Sequence, residues 1–231
     1  MSVSIVFPCF NPPKDWSQNI IACYKELQNK IKDEIEIIIV QDGDQAGITN
    51  RDIDLLRDNI SHFQFISYPE NKGKGYAIKQ GVKTSNGNII LYTDIDIPYT
   101  IESIYSIYSA LNNNECDLAA GVKNKNYYSK VPFSRRIISN GFRRLIRLFI
   151  SIPFTDTQCG LKGFNNKLKP IILATTIDRY LFDLEFIRSA YKQGYKITPI
   201  TIDLREGIHF RKINYRILFP ELFNFIKLLL K

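Results

Sequence analysis

The segment Asn88–Pro98, with the sequence NIILYTDIDIP, joins an apolar run to two carboxylates that stand one residue apart. The apolar part resembles two other continuous runs, Val3–Phe7 and Ile35–Val40. Continuous apolar runs of this length are typical of strands that are covered on both faces, as in parallel sheets. The segment therefore predicts an α/β fold in which a buried strand ends at a polar site.

Helical patterns alternate with these runs along the chain. Between the first two strands, apolar residues from Trp16 to Ile31 recur at helical spacing. The further predicted helices are Tyr76–Thr84, Ile101–Leu111, Phe133–Ile150 and Tyr180–Gln193, and the further strands are Phe63–Ser67, Asp117–Gly121 and Lys196–Ile202. The alternation predicts a mostly parallel, Rossmann-like sheet with helices on both faces.

Composition narrows the class of protein. The chain has 231 residues, of which 45% are hydrophobic and 23% charged, which suits one large globular domain with or without an appendage. Four cysteines form no C-x-x-C pair, which favours a reducing setting. No run is long and apolar enough for a spanning helix, and the N-terminus lacks a signal-peptide pattern.

The net charge of +8 favours an anionic partner, and phosphorylated substrates, membrane surfaces and nucleic acids all qualify. Arginines are concentrated in residues 135–147 and 205–216, and neither segment contains a recognisable nucleic-acid motif. The expected partners are therefore a phosphorylated substrate and an anionic membrane surface, with no nucleic acid.

Polar or acidic sequences follow each of the first four predicted strands, namely PCFNPP, QDGDQAG, YPENKGKG and DIDIP. In doubly wound sheets, ligands bind beyond the carboxyl ends of the strands. On an extended chain, Asp94 and Asp96 would point to the same side and could hold Mg²⁺ or Mn²⁺. The alternative is a pair of solvated turn or capping residues.

The segments that follow two other strands, which we call strand exits, also carry candidate binding residues. Lys74 lies with two glycines at the start of a helix, where backbone N–H groups favour an anion, although a surface turn would have the same pattern. Asp42 follows the second strand and could accept a hydrogen bond from a base or ribose, or form a local Asx-turn.

The end of the chain is a separate amphipathic segment. We expect residues 1–212 to form one large α/β domain and residues 213–231 to form a C-terminal amphipathic helix. Its wide apolar face suits a membrane surface, and it suits packing on the domain or on a second subunit equally well. The oligomeric state is not indicated.

Six motifs in order give the chain a family resemblance: VFPCFNPP, IIIVQDGD, NKGKGYAIKQG, LYTDIDIP, DTQCGLKGF and YLFDLEFI. Over about residues 3–212, it resembles the family 2 glycosyltransferases with the GT-A fold. Within that family, it is similar to the dolichyl- and polyprenyl-phosphate glucosyltransferases and mannosyltransferases. The resemblance implies inverting, metal-dependent transfer of a sugar from a nucleotide sugar, UDP-glucose as first choice, to polyprenyl or dolichyl phosphate.

The resemblance also implies roles for donor-binding residues. Pro8, Asn11 and Asp42 would line the base and ribose of the nucleotide. Lys74, in the NKGKG motif, would lie near the nucleotide. The usual D-D-G-S motif begins here with Gln41, so its first acid is lost.

Catalytic roles follow in the same way. Asp94 and Asp96 would carry the metal ion, and Arg205 would close over the diphosphate. Asp156, which opens the DTQCG loop, would lie on the acceptor side. Pro98 stands where some relatives have a further metal-interacting side chain and cannot replace it.

For the acceptor, the resemblance points to Arg135 and Ser139 as the residues that hold its phosphate. This function would place the protein peripherally on the cytosolic face of a membrane. Two alternatives stay open: transfer to a hydroxyl of a surface glycan with Asp156 as the base, and a non-catalytic nucleotide-binding or membrane-surface protein.

The FDLEF motif contains two acids, Asp183 and Glu185, with two possible roles. They could bind sugar hydroxyls, or they could form structural ion pairs with arginines. For Asp183 the structural role is favoured. Cys159 lacks a neighbouring histidine in the sequence, so a nucleophilic role is not expected.

Overall fold

The computed structural model describes residues 2–43, 47–123, 133–150, 152, 154, 156–206 and 218–229, with the backbone alone for 133–138 and 218–219. Within these residues, seven strands form one sheet: β1 (Ser2–Cys9), β2 (Glu34–Asp42), β3 (His62–Tyr68), β4 (Ile89–Tyr92), β5 (Leu118–Lys123), β6 (Lys162–Asn165) and β7 (Ile197–Ile202). The strand order across the sheet is β3-β2-β1-β4-β6-β5-β7.

The described helices are α1 (Trp16–Gln28), α2 (Asn50–Asn59), α3 (Lys74–Thr84), α4 (Ile101–Asn112), α5 (Phe133–Phe149), α6 (Lys169–Leu173), α7 (Phe182–Lys192) and α8 (Leu218–Leu229). A single 3₁₀ turn, Asn166–Leu168, precedes α6 in this part of the chain. The predicted alternation of strands and helices is confirmed.

The sheet is mostly parallel, as predicted. Strand β1 pairs in parallel with β2 and β4, β2 pairs with β3, and β5 pairs with β7. The exception is β6, which is antiparallel to both β4 and β5. The sequence pattern did not predict β6, because four residues with a glycine, KGFN, carry little strand signal.

Hydrophobic residues fill both faces of the sheet. On one face, Trp16 of α1 and Ile107 of α4 belong to one buried cluster. On the other face, Ile78 of α3 and Phe186 of α7 belong to a second cluster, with Phe164 of β6. Full burial of such side chains contributes roughly 1.5–3 kcal/mol each, so the two clusters stabilise the sheet from both sides.

Helix α2 is a second element that the sequence pattern did not reveal. Only Ile53 and Leu56 of this helix are buried, so its apolar periodicity is short. Its start is a capping box, in which Thr49 Oγ1 accepts from the Asp52 N–H at 3.2 Å and Asp52 Oδ2 accepts from the Thr49 N–H at 3.1 Å.

The C-terminal helix α8 packs one side on the domain. Phe225 and Leu228 are buried, and the Phe225 ring lies 5.7 Å from the ring of Phe142 in α5. Glu221 Oε2 also accepts from the Leu181 N–H at 3.0 Å. The segment was interpreted either as a membrane-surface helix or as a helix packed on protein. One face of α8 does pack on the domain.

Helices α5 and α8 both carry exposed apolar side chains, and we call these residues together with the cations of the two helices the amphipathic face. Its apolar side chains are exposed, up to 74% for Leu148 and 57% for Phe223. The face consists of Leu145, Leu148, Phe149, Leu222, Phe223 and Ile226, with Arg143, Arg144, Arg147 and Lys227 as its cations. None of the described helices is both long enough and apolar enough to span a bilayer.

Candidate active site

The exit of β4 differs from the extended conformation that we expected. The strand ends at Tyr92, and the Ile97 N–H donates to the Asp94 carbonyl at 3.0 Å, which closes a turn. Ile97 has a φ of 42°, which β-branched residues rarely adopt. The expectation of an extended chain through both acids is therefore wrong; in the turn, Asp94 is partly buried and Asp96 is exposed.

Both carboxylate oxygens of Asp94 lie close to neighbouring elements, and one of them forms an ion pair. Lys74 Nζ, from the start of α3, lies 2.5 Å from Asp94 Oδ1. The other oxygen, Oδ2, packs against Gly160, where an added Cβ would stand only 2.1 Å from it. The Gly160 N–H donates to Tyr99 Oη at 2.9 Å. The β4 exit, the α3 start and the DTQCG loop thus meet at Asp94.

Charge keeps this pair ionised. Burial favours the neutral acid, but Lys74, Lys162 and Lys123 together hold the pKa of Asp94 below its ordinary value. For Lys74, burial opposes the charge, while Asp94 and Asp183 raise the pKa of the ammonium above its ordinary value. Asp94 therefore carries a negative charge at neutral pH, and Lys74 a positive one.

Asp42 organises the loop before α3. Its carboxylate accepts from Tyr68 Oη at 3.0 Å, Asn71 Nδ2 at 3.0 Å, and the N–H groups of Lys72 at 2.8 Å and Gly73 at 2.9 Å. Gly73, at a φ of 106°, is the N-cap of α3. A base or ribose would have to replace some of these bonds, so nucleotide contact by Asp42 stays a prediction.

The exit of β7 lies next to the Asp94 turn. The Arg205 N–H donates to the Pro98 carbonyl at 3.0 Å, and Leu204 forms an antiparallel bridge with Tyr99. The backbone of Arg205 is therefore held two residues from Asp96. Sequence position alone gives no sign of this proximity, since the two lie more than a hundred residues apart.

At the end of β5, Asp156 Oδ2 accepts from the Lys123 N–H at 2.9 Å. Sequence reasoning missed Lys123, which also acts on Asp94 electrostatically. A lysine at the end of a strand carries no distinguishing signal unless its neighbours are known.

A buried ion pair lies beneath the site. Lys162 has no exposed side-chain surface, and its Nζ lies 3.0 Å from Asp183 Oδ2 and 2.5 Å from the Cys159 carbonyl. Tyr92 Oη donates to Asp183 Oδ1 at 2.5 Å. The structural role favoured for Asp183 is confirmed, with a lysine rather than an arginine as its partner.

Glu185, the second acid of that motif, accepts from the N–H groups of Thr176 and Ile177, both at 2.9 Å. It therefore fixes the loop before α7. Cys159 is fully buried, and burial raises the pKa of its thiol. The expectation that Cys159 is not a nucleophile agrees with this environment.

The remaining predicted residues are spread more widely. Pro8 lies in β1 and pairs in register with Val40, and Asn11 follows that strand with a φ of 49°, so both belong to the carboxyl edge. Ser139 lies half-buried in α5. The side chain of Arg135 lies outside the described residues.

The turn offers part of the ligand set that a divalent cation needs. In the part of the chain that the structure describes, no group of three or more His, Cys, Asp or Glu side chains could hold a metal ion. Asp94 and Asp96 supply hard oxygen ligands, and Mg²⁺ is commonly bound by one or two carboxylates plus substrate phosphates. The residues therefore fit a cation that binds together with a phosphorylated substrate.

Comparison with known sequences agrees with the resemblance. The model of the family "Glycosyl transferase family 2" matches residues 4–169. The chain is 22% identical over 209 residues to "Glycosyltransferase AglD" of Haloferax volcanii, which covers 88% of this chain and 33% of that protein. It is 24% identical over 217 residues to "Dolichyl-phosphate beta-glucosyltransferase" of Dictyostelium discoideum. This match covers 88% of this chain and 66% of that protein. The chain thus spans one third to two thirds of these relatives.

Comparison with solved structures concerns the fold. Glucosyl-3-phosphoglycerate synthase from Mycobacterium tuberculosis, solved with Mn²⁺, UDP and glucosyl-3-phosphoglycerate, superposes with a TM-score of 0.65. The match has 14% sequence identity and covers 99% of this chain and 78% of that one. This likeness shows the GT-A fold and confirms the fold class.

Proposed function

Because the chain belongs to glycosyl transferase family 2, we propose that it transfers a sugar from a nucleotide sugar, UDP-glucose as first choice, to polyprenyl or dolichyl phosphate. The observation that carries the proposal is the meeting of three strand exits at Asp94, Lys74 and the backbone of Arg205, at the edge where such folds bind ligands. The relative named as a dolichyl-phosphate beta-glucosyltransferase supports this acceptor.

The donor would lie along the carboxyl edge. Its base and ribose would contact Pro8 and Asn11, with Asp42 holding the adjoining loop in place. Its diphosphate would lie between Lys74 and Arg205, whose charges stabilise the negative charge that develops on the leaving group. Both cations are anchored on elements that converge on the Asp94 turn.

A divalent cation, Mg²⁺ or Mn²⁺, would supply Lewis-acid stabilisation of the leaving diphosphate. Asp96 and Asp94 are the residues that would hold it. Asp96 is exposed at the tip of the turn, in a position from which it can meet a cation that arrives with the substrate.

The reaction needs no base if the acceptor is a phosphate. A phosphate oxygen bonds to the anomeric carbon as the bond from that carbon to the donor's β-phosphate oxygen breaks, and the nucleoside diphosphate leaves with the electron pair. One in-line displacement inverts the anomeric configuration. Asp156 would then orient the acceptor loop through its bond to Lys123, and Arg135 with Ser139 would hold the acceptor phosphate.

A lipid-linked acceptor requires contact with a membrane, and we assign this contact to the amphipathic face. Its exposed leucines and phenylalanines would enter the headgroup region, and Arg144, Arg147 and Lys227 would meet anionic lipid. The protein would thus lie peripherally on the cytosolic face of the membrane.

A transfer assay tests the function. Radiolabelled UDP-glucose and GDP-mannose are incubated with the protein, dolichyl phosphate, and Mn²⁺, Mg²⁺ or EDTA, and the organic phase is counted. We expect an extractable product with UDP-glucose that requires the cation. D96N should lower the rate by roughly 100-fold, while D58N, the same change in the last turn of α2, should leave it unchanged.

Two outcomes would redirect the assignment. Transfer to a glycan hydroxyl but not to dolichyl phosphate, abolished by D156N, would favour the glycan acceptor. If no donor is used under any condition, the assignment as a transferase fails.

Vesicle flotation tests the membrane contact. We expect binding to vesicles that contain phosphatidylglycerol, weakened by L148S with F223S, and weakened by R144Q with R147Q. Y191S removes an exposed aromatic from α7 and serves as the control. A dimer in light scattering that L148S with F223S converts to monomer would instead make the face a subunit interface.

A further inference from the structure

The cation position beside Asp94 is already filled by the protein itself. We infer that Lys74 is a stand-in for the divalent cation: it neutralises Asp94 while the site has no substrate and exchanges with the cation when the donor diphosphate binds. This inference rests on the proposed function for the identity of the substrate, but its central measurement needs only the metal ion.

Of the two oxygens of Asp94, Oδ1 is the one that a cation of the protein already contacts. Oδ2 faces Gly160 so closely that an added Cβ would stand at 2.1 Å. Oδ1 is covered by Lys74 Nζ at 2.5 Å. Since Mg²⁺ binds its ligands at about 2.1 Å, a metal ion on Oδ1 and the ammonium of Lys74 would occupy nearly the same place. The two cations therefore exclude each other at this oxygen.

The side chain of Lys74 is able to move away from Asp94. Its side chain is 20% exposed, and that of Asp94 is 36% exposed, so the pair faces the open edge of the sheet. Lys162, which also acts on Asp94, is fully buried and held by Asp183 and the Cys159 carbonyl. An exchange at Asp94 therefore involves Lys74, while Lys162 stays in place.

The backbone of Lys74 stays fixed during this exchange. The preceding residue, Gly73, donates its N–H to both oxygens of Asp42, and α3 begins at Lys74 itself. Only the lysine side chain has to swing, from Asp94 toward the phosphates of the donor. When the diphosphate is bound, it attracts both Lys74 and the divalent cation. Without the diphosphate, Oδ1 of Asp94 binds only one of these two cations.

A coupling between the two ligands follows. The metal ion alone must displace Lys74 and binds weakly, and the donor diphosphate removes that competition. Because coupling free energies are reciprocal, the metal ion must strengthen diphosphate binding by the same factor.

Removal of Lys74 tests the inference directly. Binding of Mn²⁺ alone is measured from the electron paramagnetic resonance of the free ion, with wild type, K74M and K74Q. We expect both variants to bind Mn²⁺ more tightly than wild type, by at least about 5-fold, the lower end of usual coupling factors. K74Q decides the question if K74M does not fold.

The control is Lys79→Met in the same helix. Lys79 pairs with Asp178 at 2.7 Å and has no contact with Asp94 among those described, so its removal changes the net charge equally. We expect K79M to bind Mn²⁺ like wild type. Equal tightening by K79M would assign the effect to net charge and overturn the inference, as would unchanged or weaker binding by K74M and K74Q.

Repeating the K74M measurement in the D94N variant tests whether the tighter Mn²⁺ binding depends on Asp94. In D94N the partner of Lys74 is absent, so adding K74M should leave Mn²⁺ binding unchanged; a gain equal to that in wild type would overturn the inference. Adding UDP should tighten Mn²⁺ binding more in wild type than in K74M. If the transfer assay fails but K74M tightens Mn²⁺ binding, the exchange stands without the proposed function.

Discussion

Lys162 Nζ lies 3.0 Å from Asp183 Oδ2 in the interior of the protein, and the lysine has no exposed surface. Tyr92 donates to the same carboxylate, and the lysine also donates to the Cys159 carbonyl. The pair joins the DTQCGLKGF and FDLEF motifs, which lie about 20 residues apart along the chain.

Breaking that pair on one side should cost stability. K162M or D183N leaves one buried group without its partner, and we expect each to lower the free energy of unfolding by about 3–5 kcal/mol. The double variant should lose less than the sum of the two, as urea denaturation will show. K167M, which breaks the partly exposed pair with Asp117, should cost under about 1 kcal/mol.

Asp42→Asn should loosen the start of α3. The amide keeps one acceptor oxygen but turns an NH₂ group toward N–H donors that the carboxylate now satisfies. We expect a loss of about 1–3 kcal/mol in the free energy of unfolding, with a raised KM for the nucleotide sugar. D58N should be neutral in both measurements; a stable D42N variant with unchanged KM would contradict the role of Asp42 in positioning the loop.

Gly160→Ala should displace Asp94. The new Cβ would meet Asp94 Oδ2 at 2.1 Å and Tyr99 Oη at 3.3 Å. We expect a loss of transfer activity of at least about 10-fold, because small displacements at a reacting centre are costly. Gly141→Ala in α5 meets no neighbouring atom within 4 Å and should leave activity unchanged. Full activity in G160A would show that Asp94 need not stand where it does.

The ion pair of Asp94 and Lys74 should make stability depend on pH at both ends. The pKa of Asp94 is lowered from 3.8 in the folded protein, so its contribution is present above that value and is lost as the pH falls below it. The pKa of Lys74 is raised from 10.5, so its contribution is present below that value and is lost as the pH rises beyond the folded pKa.

The measurement compares wild type with K74M. Their difference in unfolding free energy should be constant between about pH 5 and 9 and should shrink at more acid and more alkaline pH. A difference that does not change with pH would mean that the lysine stabilises through its hydrocarbon chain rather than its charge.

The four cysteines should be unreactive in the native protein. All are buried, and burial raises the pKa of the Cys9 thiol to about 12 and that of the Cys23 thiol to about 12. Since the thiolate is the reactive form, we expect no rapid reaction with Ellman's reagent at pH 8 and four equivalents after unfolding in urea. A rapid native equivalent would reveal local opening at one of these sites.

Much of the fold could be predicted because it depends on local patterns. The apolar runs of β1, β2 and β4 and the helical spacing of α1 and α4 are visible in any short window of sequence. Strand β6 and helix α2 were missed, since each has few buried apolar residues and is stabilised by neighbours or by a capping box.

The candidate site was predictable in part for the same reason. Polar sequences after apolar strands marked Asp42, Lys74, Asp94 and Asp96, and the topology of a parallel sheet predicts that such exits meet. The conformation of each exit was not predictable: the chain forms a turn from Asp94 to Ile97 where an extended segment was expected.

The sequence by itself determined the α/β class, the strand exits and the family, because these depend on residue types and their order. The tertiary structure decided which charges meet: Lys74 with Asp94, Lys162 with Asp183, and Asp42 with the loop before α3. The physical reason is that Coulomb energy and hydrogen bonding act over a few ångströms. These partners lie 20 to 31 positions apart along the chain and become neighbours only when the sheet assembles.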